Sequence, residues 1–452
     1  MDKSLKFMII LLFIPLLWSN TPVSAQSDDA FLEKYQYYQE RFYEDFIYYS
    51  ADNPFSQGSS LPVEYRRLRT DGKVLLYWAD GVWWLGHYVG MLAMEYQRLK
   101  LTTQDTLPTL RKLQAALATY KRLDYVAESC WNDTSTSREL NGFYLRDDIT
   151  DEIKKKLKAD ILVSDYIRYC GKIDSKGNAP SHDQAWGSYI GLALVKKFVP
   201  IPEIQNEVKE IATLLVRGMQ QQIGKKKRWE IINPVTNQPI QKQADIGWLR
   251  YAHTQMGNYL TEEDMSFARS NTQFWKDMWR LLQNNILIDK YGNFNWYGVL
   301  SISAVLNDHG RGEKNCYDWL IKRTEQIVKK RPDLEQSVIF PHLPLVNVLL
   351  HGYEGNKPLP KTAYEAYLEA APEEGAFYYV INDSIVRSTP PWHSLSLFCP
   401  WHNRTVGEYN MLDYMFLYNA YWLVYCSDLE QVEKFRQEPL DANSEENNEK
   451  YE

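Results

Sequence analysis

The chain has 452 residues, of which 44% are hydrophobic and 24% charged. This excludes a disordered polypeptide and a multi-span membrane protein. Its 51 Lys and Arg against 58 Asp and Glu leave a net charge of −7, so the uniform attraction to phosphate backbones that nucleic-acid binders use is absent. With 15 Trp and 32 Tyr, the chain is built to pack or bind flat groups.

Residues 1–25 read as a secretory signal. Lys3 and Lys6 precede an uncharged run from Phe7 to Trp18, and Val23-Ser24-Ala25 supplies the small-residue cleavage site. The run is shorter than the roughly 20 residues needed to span a bilayer. No Cys follows it, so a free periplasmic or secreted protein with no stable membrane anchor is expected.

Beyond the leader, helical periodicity dominates. Amphipathic stretches at about 30–49, 104–125, 202–222, 262–284, 313–331 and 360–372 carry charge on one face and apolar residues on the other, as outer helices do. Between them fall helix starts of a second kind, rich in Gly, Ala and large apolar residues and poor in charge, as expected of helices buried on most sides. They are WADGVWWLGHYVGMLAM from Trp78, SHDQAWGSYIGLALV from Ser181, QADIGWLRYAHTQMGNYL from Gln243, GNFNWYGVLSISAVL from Gly292 and WHNRTVGEYNMLDYMFLYNAYWL from Trp401, with a weaker FPHLPLVNVLLHGY from Phe340.

Six outer and six inner helices in strict alternation predict an all-α fold, a closed (α/α)6 toroid of six helical hairpins spanning residues 26–435. The long gap between Asp80 and Asp183 holds an insert, 128–180, with a turn at Gly142 and an exposed face at Lys154 to Lys156. Short hairpins are expected at Lys225 to Gln241 and Gly375 to Cys399, over one rim. Residues 436–452 form an acidic tail, six acidic residues against two basic from Arg436 onward, and read as disordered.

The helix starts WADGVWWLGHY, SHDQAWGSY, QADIGWLRY and GNFNWYG make the chain resemble the six-hairpin glycosidase superfamily, the (α/α)6 toroids of bacterial carbohydrate-active enzymes, over about residues 30–425. The likeness is architectural, since no single family's motif matches residue by residue. It implies that the inner helices point their N-terminal ends at a common funnel, where Asp80, His182, Asp183, Asp245, Trp248, Asn295 and Trp296 converge.

A saccharide site needs flat aromatic platforms flanked by groups that bond pairs of hydroxyls. Trp84, Trp186, Trp248, Trp296 and Trp401 are the candidate platforms, and core filling explains such rings equally well. His87, Arg146, His182, Arg250, Asn295, His402 and Tyr409 are the candidate polar partners. Glycoside hydrolysis needs two carboxyl groups flanking the scissile bond. Candidates are Asp148 beside Arg146 in LRDD, then Asp80, Asp183 and Asp245, each of which also suits a helix N-cap. Glu408 is the last; read as one helix, it and Asp413 point about 140° apart, with Glu408 nearer the open end.

Two alternatives stay open. A polysaccharide lyase needs a Tyr or His base beside a group that neutralises a uronate carboxylate, and His402, Asn403, Arg404 and Tyr409 supply those types. A non-catalytic saccharide-binding protein needs neither set. No HExxH, Gly-rich phosphate loop or GxSxG occurs, so neither metal nor nucleotide cofactor is expected. The five Cys include no CxxC; Cys130 and Cys170, flanking an irregular segment, are the one pair offered for a bridge.

Overall fold

The computed structural model describes residues 28–48, 61–69, 71–78, 81–131, 140–146, 153, 155, 157–163, 180–219, 221–223, 226–231, 247–263, 292–307, 317–322, 326, 340–353, 356, 358–373, 380–381, 385–386 and 408–427. These are predominantly α-helical. The signal segment and the acidic tail lie outside them.

Helix α1 (Asp28–Asp45) is an outer helix for the reason its sequence gives. Phe31, Tyr35, Tyr38 and Phe42 recur at helical spacing and are buried, while Tyr37 on the opposite face is 42% exposed. Helix α2 (Gly81–Leu101) is buried continuously from Gly81 to Arg98, as an interior helix with no polar face must be. Helix α3 (Leu107–Trp131) returns along it and runs past the expected start of the insert at 128.

Helix α4 (His182–Phe198) is again interior. It leads into α5 (Pro202–Met219), which starts with Pro at a position whose N–H has no helical partner and buries Ile204, Val208, Ile211 and Leu215 along one face. Then come α6 (Gly247–Thr261), α7 (Gly292–Leu306), α8 (His342–His351), α9 (Lys361–Glu369) and α10 (Leu412–Tyr425). Among the described residues, none of the helices is long and apolar enough to cross a membrane.

The interior helices run in one direction. On α2 and α4 the facing pairs advance together: a Cβ on Gly86 would strike Gly187 and Ser188, one on Gly191 would strike Gly86, and one on Gly90 would press on Leu194 at 3.0 Å. His182 and Tyr189 of α4 meet His253 of α6, and Lys196 further along bonds the Tyr259 carbonyl. Asn347 and His351 of α8 donate to the Ala304 and Val305 carbonyls of α7, at 2.9 and 2.6 Å. On α2 and α10, His87 lies against Phe416, and Arg98 bonds Asn419 at 2.9 Å. Successive interior helices α2, α4, α6, α7, α8 and α10 are in contact and α10 touches α2, while α4 also meets α7 and α8.

The outer helices oppose them. Along α1, Phe31 meets Tyr421 and Tyr38 meets Tyr414 as α10 runs backwards, and Lys34 caps the end of α9 through the Glu369 and Ala371 carbonyls. The buried Glu95 carboxylate ties α1, α2 and α3 by accepting from Tyr35, Gln39 and Thr109.

A small sheet that the periodicity did not predict lies beside the start of α2. Its order is β3 (Ile161–Val163), β2 (Val74–Tyr77), β1 (Tyr65–Leu68), β8 (Glu408–Tyr409). Strands β1 and β2 form an antiparallel hairpin whose turn uses Gly72 at φ +77° after Asp71, and β3 joins β2 in parallel. Two further hairpins fall near the expected segments: β4 (Gln221–Ile223) with β5 (Lys226–Glu230), and β6 (Val380–Ile381) with β7 (Ile385–Val386).

The insert's turn at Gly142 has φ +85°, and a Cβ there would collide with the Leu214 carbonyl of α5. The Asp124 carboxylate accepts the Gly142 N–H at 2.8 Å, and the Arg146 carbonyl accepts the Val82 N–H at 3.3 Å. That loop therefore runs from α3 and α5 to the first turn of α2.

The close α2–α4 approach predicts that Gly187→Ala costs at least about 3 kcal/mol, because its Cβ meets the Trp83 carbonyl at 2.9 Å and the aromatic ring behind it. Gly72→Ala, with open space but a left-handed φ, costs about 1 kcal/mol. Urea midpoints of the two variants check the difference.

Candidate functional site

The first turns of the parallel inner helices bring together a buried set of imidazoles, indoles and amides. The Gln184 side chain in α4 accepts the Trp83 N–H at 3.0 Å, so one helix supplies a cap to the first turn of the other. His87 stands one turn further along α2. Its Nδ1 lies 2.9 Å from the Trp83 carbonyl; a carbonyl only accepts, so this nitrogen carries the proton.

The His87 ring meets His342, the first residue of α8, with centroids 6.2 Å apart, and Phe416 of α10 packs against both. On the other side, His182 Nδ1 lies 2.9 Å from His253 Nε2, and His253 Nδ1 lies 2.6 Å from the Tyr189 hydroxyl. Two helices and three side chains thus form one hydrogen-bonded chain.

Burial sets the charge of this centre. His87 and His182 are each pushed down to about 4 by loss of water, and His253 and His342 are pushed well below the ordinary histidine value by burial and by their histidine neighbours. Burial also raises the Tyr189 hydroxyl far above its usual range. At neutral pH the four imidazoles are uncharged and the phenol is protonated, so the centre offers hydrogen bonds and proton exchange rather than fixed charge. Among the described residues, no group of three His, Cys, Asp or Glu is arranged to hold a metal ion.

The expected site residues divide into three groups. Trp84, His87, His182 and Trp186 lie in the opening two turns of α2 and α4, in or beside this centre. Trp84 and Trp186 are 0% and 2% exposed, and Trp186 packs against Gly298 of α7. With their faces covered by protein they fill the interior in this structure, and neither presents a platform for a sugar. Arg146 enters through its carbonyl at the start of α2.

Asp183 is the second residue of α4, Trp248 and Arg250 lie in the first turn of α6, Asn295 and Trp296 open α7, and Tyr409 belongs to β8. Asp80, Asp148, Asp245, Trp401 and His402 lie outside the described residues, as do Asn403 and Arg404.

Glu408 requires a correction. It does not share a helix with Asp413: it sits in β8, and α10 begins only at Leu412, after Met411 turns the chain at φ +58°. Paired with Arg66 in the sheet register, Glu408 bonds Arg41 at 3.2 Å and Arg66 at 3.1 Å, and Arg66 also pairs with Asp45 at 2.5 Å. Both its ion-pair partners come from α1 and β1, so its role is to fasten these elements.

His253, His342, Gln184 and Tyr189 were missed as site residues. All four lie within the helix starts named above, yet only the register between helices shows which turn of α6 faces His182. Comparison with family models, with curated proteins and with solved structures gives no match for this chain.

The buried imidazoles predict acid sensitivity with a definite sign. In the unfolded chain these histidines protonate near 6.5. A folded value of about 4 means that the unfolded state binds more protons between those limits, so stability is full above about pH 6.5 and falls as the pH drops toward 4. Each such histidine costs on the order of 3 kcal/mol by pH 4. Melting temperatures measured from pH 7.5 to 5, above the range where most carboxylates titrate, check this; a flat profile contradicts it.

Proposed function

We propose that this chain is an exported (α/α)6 toroid that acts on an oligosaccharide or polysaccharide fragment, as a glycoside hydrolase, in the periplasm or outside the cell. The observation that carries the reading is the common direction of the interior helices, whose N-terminal turns gather His87, His182, Gln184, Ser181 and the Trp83 amide at one end. Contact between successive interior helices and between α10 and α2 supports a ring of hairpins, although α4 also packs against α7 and α8.

Such an end suits a polyhydroxy ligand. Uncharged imidazoles and amides donate and accept without the desolvation cost that an unpaired buried charge incurs. The acid and base are drawn from Asp80, Asp148, Asp183 and Asp245, all of them at or near helix starts or on the insert beside Arg146. Glu408 is withdrawn from that set, because two guanidinium groups already bind its carboxylate.

A lyase reading also has a specific support. A hydrogen-bonded His–His–Tyr chain is the kind of group that accepts or returns a proton beside a uronate carboxylate, and here it is supplied by α4 and α6 rather than by residues 402–409.

Turnover of the purified protein on a panel of neutral and uronate-bearing oligosaccharides separates the readings. New reducing ends without ultraviolet absorbance indicate hydrolysis; new absorbance with them indicates elimination; neither signal leaves a binding protein. For hydrolysis, Asp183→Asn lowers turnover by about 100-fold or more with the urea midpoint unchanged. Loss of stability with retained turnover would assign Asp183 to helix capping.

A further inference from the structure

The start of α4 holds two buried side chains, each with a polar atom that the fold leaves unpaired. Ser181 occupies the N-cap position in an extended conformation, yet its hydroxyl makes no capping bond, and it is only 4% exposed with Oγ lacking any hydrogen-bond partner. His182, 2% exposed, uses Nδ1 on His253, while its Nε2 has no partner. An unmet buried polar atom costs about 1–3 kcal/mol, so two at one helix start need a reason.

The protons in the chain can be assigned. Among the described residues, Tyr189 has one hydrogen-bond partner, His253 Nδ1. If His253 donated to the phenol, the phenol's own hydrogen would be buried without an acceptor. If the phenol donates, His253 Nε2 carries the proton and donates to His182 Nδ1, and every polar atom is met except one. That one is His182 Nε2, which must then be an N–H donor.

Its direction follows as well. His253 and Tyr189 lie deeper along the helices than His182, and the two imidazole nitrogens face opposite sides of the ring. Nε2–H therefore points away from His253, on the first residue of α4. It lies next in the chain to the Ser181 hydroxyl, at the end of α4 that carries the positive end of the helix dipole. Both side chains can donate, and what they lack is an acceptor, preferably anionic.

We infer that the N-terminal end of α4 binds a carboxylate through the Ser181 hydroxyl and His182 Nε2–H, with the His182 proton held in place by His253 and Tyr189. Resting on the saccharide reading above, this makes the substrate an acidic, uronate-type sugar. His253 and Tyr189 are positioning residues; Ser181 and His182 touch the ligand.

Titration calorimetry of the purified protein with glucuronate, glucose and acetate tests this, together with Ser181→Ala and His182→Phe and a melting curve for each variant. Glucuronate is expected to bind at least about tenfold more tightly than glucose, and each variant to lose about tenfold of that preference. Ser181→Ala, the smaller change, decides the matter if His182→Phe does not fold.

Equal affinity for glucuronate and glucose overturns the carboxylate site and leaves the saccharide reading standing. Acetate binding that Ser181→Ala abolishes, with no binding of either sugar, upholds the carboxylate site and overturns the saccharide reading. Absence of binding by all three probes overturns both. Nitrogen-15 spectra give a ligand-independent check: His182 should be the Nε2–H tautomer at neutral pH, and the Nδ1–H tautomer there would contradict the assignment.

Discussion

The backbone contact between α2 and α4 governs the rest of the architecture. Gly86, Gly90, Gly187 and Gly191 let two helices approach with almost no side chain between them, and this close approach admits little sliding. Once that register is set, the Gln184 side chain reaches the Trp83 amide, and His87 and His182 are held at the same end of the molecule. The helices outside this pair are held by longer side chains: Arg98 clasped by Asn419 and two tyrosine rings, and Glu95 beneath Tyr35 and Thr109. These polar bonds lie towards the C-terminal half of α2, so the packing there is firm where no ligand is proposed to enter.

At the opposite end, the buried imidazoles among the described residues are polar without being charged. Four histidines buried in neutral form destabilise the protein whenever the medium supplies protons, and an apolar side chain of similar size would not. Retaining them there is understandable if their hydrogen bonds serve a ligand. The His182–His253–Tyr189 chain has this character: it fixes one tautomer at its outer end and is satisfied throughout its inner part. The Arg41, Arg66, Asp45 and Glu408 cluster is of another kind, with opposite charges already matched and partly hydrated, as surface fastenings are.

Much of the helical framework was legible in the sequence, because burial leaves its mark on composition. Helix α2 reads as apolar on every side, while α1 and α5 read as one-faced, and each of the starts from Ser181, Gly292 and Phe340 opens an interior helix within two residues of where the pattern puts it. The hairpin at residues 65–77 was overlooked although Asp71-Gly72 is a turn dipeptide, its strands being only four residues each. Glu408 was read into a helix because the aromatic run from Tyr409 continues past the true start at Leu412 without a change of composition. The histidine chain was beyond local pattern altogether: His182 and His253 are 71 positions apart, and only the stagger between α4 and α6 makes them neighbours.

The proposed ligand enters at the shared N-terminal end of the interior helices. A crystal structure of the protein soaked with a glucuronate-containing disaccharide tests it most directly. The expected result is an acidic sugar ring with its carboxylate within hydrogen-bonding distance of Ser181 Oγ and His182 Nε2. A disaccharide seated at the opposite end of α2 and α4, or against the outer helices, would contradict it.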